Sequence, residues 1–186
     1  MKINNNSRKF IYLISPNKID NTRIFLTNLE KILNIKKVYF FQLRLKNHKE
    51  KQIINLGRKI KFICKKYKTK LIINDNPYIA KKLRADGCHL GQNDMSLNKA
   101  KKIIKNKIIG VTCHNSKTLI RKALKFKPSY IALGAFFKSS TKIVKYKAYL
   151  GLITKVKSIT NIPIVAIGGI NSINYKKLLL KKADFL

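Results

Sequence analysis

The chain has 186 residues, 45% of them hydrophobic, which is enough for one domain with its own core. Its 42 basic and 7 acidic residues give a formal net charge of +35. No apolar run approaches the ~20 residues that cross a bilayer. The apolar stretch 10–15 is shorter than a signal-peptide core and no small-residue cleavage site follows it, so a cytoplasmic protein with no membrane partner is expected.

Such charge invites a nucleic-acid reading. However, the basic residues are 36 Lys and only six Arg, spread along the whole chain, and Arg is the side chain suited to bidentate phosphate and base contacts. Lys, Ile and Asn together make 82 of the 186 residues, and all three have A/T-rich codons. Genome composition therefore accounts for the lysine surplus, and only weak, non-specific association with nucleic acid at low salt is expected. Cys64, Cys88 and Cys113 are far apart and odd in number, which fits buried reduced thiols rather than disulfides or a zinc site.

In chain order, "FIYLIS" (10–15) reads as a first strand and "LTNLEKILNIKK" (26–37) as a helix with apolar residues at i, i+3 and i+4. "KVYFFQLRLK" (37–46) is a second strand and "KQIINLGRKIKFICKKY" (51–67) a second helix. Strands follow at 71–75, 87–90 and 108–114, then a helix at 116–126, strands at 130–137 and 162–169, and a helix at 174–182. "ADFL" (183–186) opens an eighth strand. Strand alternating with helix means parallel βα units. Seven units and a stub predict a single α/β domain over 1–186, a (β/α)8 TIM barrel truncated at or within strand eight and lacking its C-terminal helix. An open flavodoxin-like sheet is the structural alternative.

Chemistry in such a barrel gathers at the C-terminal strand ends, and these ends are polar here. Alternation in "FFQLRLK" puts Phe41, Leu43 and Leu45 on one face and Gln42, Arg44 and Lys46 on the other. The next strand ends in Asn74-Asp75, and the one after it in His89, then Gln92 and Asp94. Asp75 and Asp94 lie beyond neighbouring strand ends, where they could share one Mg²⁺ with a substrate phosphate beside Arg44 and Lys46. Capping of the following helix is the plainer role for Asp94. Asp86 precedes its strand and reads as structural, at the opposite rim. Thr112 and His114 end the fifth strand, and Ser139, Ser140, Thr141 and Lys142 form a hydroxyl-rich loop after the sixth. Gly168 and Gly169 after the seventh let backbone approach an anion.

The segments "QLRLK", "IIND", "DGCHLGQND", "IIGVTCH", "ALGAFFKSSTK" and "VAIGGI", in this order and spacing, resemble the thiamine-phosphate synthase family over roughly residues 10–186. The resemblance implies a (β/α)8 barrel that joins hydroxymethylpyrimidine diphosphate to a thiazole phosphate, giving thiamine phosphate and pyrophosphate with Mg²⁺. By position, it gives Arg44, Lys46 and Lys142 to the leaving diphosphate, helped by Thr112, Ser139 and Thr141. Asp75 and Asp94 would hold Mg²⁺, Gln42, Asn74 and His89 would address the pyrimidine, and Gly168 and Gly169 the thiazole phosphate.

The chain departs from the family pattern in three places. Ala135, Lys138 and Ser139 stand where the family loop has Pro, Pro and Thr, and Thr112 stands for the usual Ser. The sequence stops at "ADFL" where the family continues into a last loop and helix. A barrel that closes poorly, with apolar surface left for an oligomer or another partner to cover, is the expectation. The thiazole tautomerase paralogue, which uses a strand-five His matching His114, is the rival within the fold. A basic nucleic-acid-binding or non-catalytic remnant barrel is the rival outside it.

Overall fold

A computed structural model describes residues 10–138 and 146–186. The described residues form seven parallel strands, β1 (Ile11–Ile14), β2 (Val38–Leu43), β3 (Lys70–Asn74), β4 (Gly87–Leu90), β5 (Ile108–His114), β6 (Tyr130–Gly134) and β7 (Ile164–Ile167). Each strand pairs with the next in sequence order. Between them run α1 (Thr22–Asn34), α2 (Glu50–Lys66), α3 (Pro77–Lys82), α4 (Leu97–Ile104), α5 (Lys117–Lys125), α6 (Gly151–Lys157) and α7 (Tyr175–Leu180). The open-sheet alternative fails, because consecutive pairing of all strands with helices outside is the barrel arrangement.

Closure differs from expectation. Residues 184–186 are few, yet they bond to both neighbours. The Phe185 N–H donates to Ile164 O at 3.1 Å, and Phe185 O accepts from Ala166 N at 2.8 Å. On the other side Leu186 O accepts from Tyr12 N at 2.7 Å, while Leu186 N donates to Phe10 O at 3.0 Å. Three residues thus join β7 to β1, and poor closure is corrected to a short seam that nearly closes the barrel. The fully buried Phe185 ring anchors it among the barrel-interior side chains, a burial worth on the order of 2–3 kcal/mol.

Several predicted boundaries shift. The second strand stops at Leu43 instead of residue 46, because Arg44 N turns to the Ser15 hydroxyl (2.9 Å) rather than the next strand. The sixth strand stops at Gly134 rather than 137, because Ala135 pairs instead with Tyr146 and Ala148. The first helix starts at Thr22 rather than 26, where the Asn21 side chain caps it by accepting from Ile24 N at 3.0 Å.

Two apolar layers result. Leu29, Leu33, Phe41, Leu43, Leu71 and Ile73 lie in the core between sheet and helices. Tyr12, Phe40, Ile72, Ile108, Tyr130 and Phe185 fill the barrel interior. Strand alternation therefore sends Phe41 and Leu43 outward to the helices and Phe40 and Gln42 inward, as "FFQLRLK" indicates. Gly110 makes room for the Tyr130 ring, since a Cβ there would lie 1.9 Å from Tyr130 Cζ.

The N-terminal rim is fastened by two Ala-Asp pairs. Asp86 accepts from Leu71 N at 2.9 Å and meets Lys70 at 3.1 Å, the structural role its sequence position indicates. Asp184 repeats the device one barrel-half away, accepting from Ile164 N at 2.7 Å and pairing with Lys157 at 2.5 Å. Each carboxylate satisfies a backbone N–H at a strand's start that the sheet leaves over.

Candidate active site

At the opposite rim, the loop after β1 shapes the end of β2. Ser15 Oγ accepts from Arg44 N, and the Arg44 guanidinium donates to the Asn17 side-chain carbonyl. Lys46 N reaches Asn17 O at 3.3 Å, leaving the Lys46 side chain exposed. Both residues thereby leave the sheet at the C-terminal rim, where each acts on the charge of Asp75.

Asp75 follows β3 with φ of 63°, a left-handed conformation that Asp tolerates better than most residues. Its N–H donates to His89 O at 2.8 Å, which holds the turn against β4. Asp94 folds back over the next turn, its Oδ2 accepting from Gly91 N at 2.6 Å. The cap of α4 is Ser96, not Asp94, so the plainer role for Asp94 is set aside. The two carboxyl groups lie close enough to act on each other. Burial, then the Asp94 hydrogen bond and charge, push the Asp75 carboxyl up to about 6, with Lys46 and Arg44 pulling the other way. Both aspartates and both cations therefore meet in one space.

A buried polar chain lies just beneath. Gln42 Nε2 donates to Tyr12 Oη at 2.8 Å, and the Tyr12 and Tyr130 hydroxyls are 2.7 Å apart. Tyr130 Oη is 3.0 Å from His89 Nδ1, and His89 Nε2 is 2.7 Å from Thr112 Oγ1. The His89 ring stacks on Tyr130, with centroids 5.7 Å apart. Burial lowers the His89 pKa to about 4, with the Asp94 charge opposing and Arg44 assisting, so its imidazole is neutral near pH 7. Asn74 sits beside His89 in the β3–β4 register and is half-buried. The Gln92 side chain donates to Thr112 O and ties the β4 loop to β5.

Gly168 and Gly169 have φ of 94° and 67°. A Cβ on Gly168 would stand 2.2 Å from Ala135 Cβ, and one on Gly169 2.3 Å from Lys138 O. Close packing of the β6 and β7 loops, sealed by Phe137 N donating to Gly168 O at 3.0 Å, therefore already requires both glycines. His114 ends β5 and packs against the Tyr146 ring at 4.5 Å, apart from the Thr112–His89 chain. Ser139, Ser140, Thr141 and Lys142 lie outside the described residues.

Sequence reasoning missed Tyr12, Tyr130, Ser15 and Asn17. Tyr12 alternates with Ile11 and Leu13 and so faces inward with Gln42, and Gly110 marks the space of a large ring. Those were the available signals.

A parallel βα barrel carrying paired carboxylates, paired cations and buried amide and imidazole groups at its C-terminal rim has the arrangement of an enzyme active site for a small molecule. The profile of the family described as thiamine monophosphate synthase matches residues 11–186. The thiamine-phosphate synthase of Pelagibacter ubique is 57% identical over 186 residues, all of this chain and 89% of that protein. The enzyme of the same name from Nitrosomonas eutropha is 37% identical over 148 residues, 79% of this chain and 70% of that one. The thiamine phosphate pyrophosphorylase structure from Pyrococcus furiosus superposes with a TM-score of 0.84 at 25% identity, covering 98% of this chain and 86% of that one. The chain belongs to the thiamine monophosphate synthase family, and it is a transferase of thiamine biosynthesis.

Proposed function

We propose that the chain joins hydroxymethylpyrimidine diphosphate to a thiazole phosphate, releasing pyrophosphate, with Mg²⁺ at Asp75 and Asp94. The observation that carries this reading is the Asp75–Asp94 pair set against Arg44 and Lys46. Two neighbouring carboxyl groups form a donor set suited to a hard divalent cation, and Mg²⁺ commonly takes one or two carboxylates with substrate phosphates completing its shell. When bound, Mg²⁺ would neutralise charge on the diphosphate. No third His, Cys, Asp or Glu joins a cluster among the described residues, as a phosphate-completed site allows.

The chain's own residues do the remaining work. Arg44 and Lys46, with Thr112, bind the diphosphate where negative charge grows as the C–O bond breaks, and such fixed charge favours the transition state over the bound substrate. Ser139, Thr141 and Lys142 are assigned to the same group by position. Gln42, Asn74 and His89 orient the pyrimidine, His89 as a neutral imidazole. The released pyrimidinylmethyl cation is resonance-stabilised and is captured by the thiazole nitrogen, so no protein nucleophile is needed. Gly168 and Gly169 supply the backbone for the thiazole phosphate. Buried, reduced cysteines fit work in the cytoplasm.

The test incubates the protein with both substrates, with and without Mg²⁺, and reads thiamine phosphate and pyrophosphate together. Both should appear in equal amounts and only with a divalent cation. Release of neither product by the wild-type protein with Mg²⁺ present refutes the reading.

A further inference from the structure

The barrel-interior chain has a direction. Of the two polar ends of the Gln42 amide, Nε2 faces Tyr12 Oη at 2.8 Å and can only donate. Each tyrosine hydroxyl has a single proton. Gln42 Nε2 can only donate to Tyr12, so the one acceptor among the described residues within reach of the Tyr12 proton is Tyr130 Oη, 2.7 Å away, and Tyr12 gives its proton there. Tyr130 in turn gives its proton to His89 Nδ1 at 3.0 Å. A neutral imidazole carries one N–H, which is then on Nε2 and donates to Thr112 Oγ1 at 2.7 Å. Thr112 accepts inward, so its own proton is left to be donated outward.

We propose that Gln42, Tyr12, Tyr130 and His89 form a one-way hydrogen-bond chain that fixes His89 as its Nε2–H tautomer and aims the Thr112 hydroxyl proton at the anionic end of the substrate. Tyr12 and Tyr130 are positioning residues in this chain: they act on the substrate only through Gln42, His89 and Thr112. The catalytic part rests on the function proposed above, in which Gln42 meets the pyrimidine and Thr112 the diphosphate. The chain then links the two halves of one substrate. With Nε2 turned to Tyr12, Gln42 keeps its carbonyl for an amino group, and the same polarity makes Thr112 a donor for phosphate oxygen. Gln42, Tyr12, Tyr130 and His89 are buried and Thr112 is half-buried, and no buried side-chain N or O among the described residues lacks a partner, so the chain lies in low-dielectric surroundings that strengthen each link.

The tautomer is read on ¹⁵N-histidine-labelled full-length protein without substrate, from long-range ¹H–¹⁵N correlations of the His89 ring, assigned with His89→Gln. The expected result is a single Nε2–H pattern. Tyr12→Phe is the informative variant, because Tyr12 makes no hydrogen bond to His89. Removing one hydroxyl two links away should turn the single pattern into a mixture of tautomers. A role in packing alone would leave it unchanged. An Nδ1–H pattern in the wild type, meaning every donor is reversed and Gln42 turned over, overturns the proposal. So does an unchanged Nε2–H pattern in a folded Tyr12→Phe. If that variant does not fold, the wild-type pattern and the same measurement on Tyr130→Phe decide. In the coupled assay, Tyr12→Phe should lower kcat about tenfold, the effect of one misdirected hydrogen bond, with little change in KM for the thiazole phosphate. A protein with the expected tautomers but no thiamine phosphate would refute the function and leave the chain standing, whereas an active synthase with the wrong tautomer would do the reverse.

Discussion

Asp75→Asn removes one charge from the carboxylate pair and should make the metal-free protein more stable, in a pH-dependent way. In the native state the Asp75 carboxyl is pushed up to about 6 from its ordinary 3.8. Between those values the folded protein holds a proton that the unfolded chain has released, so stability falls as pH rises through this window and is flat above it. A shift of ~2 units corresponds to about 3 kcal/mol at 1.36 kcal/mol per unit. Asp75 is partly exposed at the barrel mouth, so solvent screening leaves roughly half, about 1.5 kcal/mol. Asn fits the left-handed backbone at φ of 63° and keeps the N–H to His89 O, so the substitution costs little else. For a chain of this length the gain corresponds to a Tm about 3–6 °C higher than wild type above pH ~6, closing towards zero as both forms become neutral below pH ~4. Thermal unfolding from pH 4 to 8 by circular dichroism, in EDTA, measures it. Adding Mg²⁺ at pH 7.5 should raise the wild-type Tm and move the variant much less. An equal gap at pH 4 and 7.5, or a variant less stable throughout, would refute the reasoning.

Arg44→Ala should lower kcat in the coupled assay by more than tenfold while KM for the pyrimidine diphosphate rises less, because the guanidinium acts on charge that grows in the transition state. Gly168→Ala should destabilise the fold by about 2–4 kcal/mol in urea titrations, from a Cβ forced to 2.2 Å from Ala135 Cβ at φ of 94°. Asp184→Ala should cost about 1–3 kcal/mol by stripping the Ile164 N–H and Lys157 of their partner, with amide exchange at Ile164 faster in the variant. Burial pushes the Cys64 and Cys113 thiols up to about 12 and raises Cys88 as well, so none should react with a thiol reagent at pH 8 until the protein is unfolded.

Much of this was legible in the sequence, because parallel strands and helices write their periods plainly. The inward and outward residues of "FFQLRLK" follow from period-two alternation, and Asp75 and Asp94 converge because each follows one of two adjacent strands. Where strands end was not legible. Arg44 leaves the sheet for a Ser15 hydroxyl 29 residues earlier, a choice that no local pattern encodes. The tyrosine–histidine chain was hidden for a related reason: an inward Tyr looks like any core aromatic until its hydroxyl finds a partner from another strand. The glycines after β7 carry two readings at once. Their motif matches anion binding, while the backbone contacts alone are enough to require them.

The seam at residues 184–186 bears on how the chain folds as it is made. Tyr12 waits for Leu186 O, and the Phe40 and Tyr130 rings wait for Phe185, so the first strand has no second neighbour until residues 184–186 emerge. On the ribosome, β1 to β7 can assemble in order as each unit emerges, but that assembly is an unclosed sheet with both edges bare, the form most open to pairing with another chain. Barrel closure joins residues 10–12 to residues 184–186, a long loop to close, and so follows the pairing of β1 to β7. During synthesis, nascent chains carrying so many lysines repel one another while their edges are still unpaired.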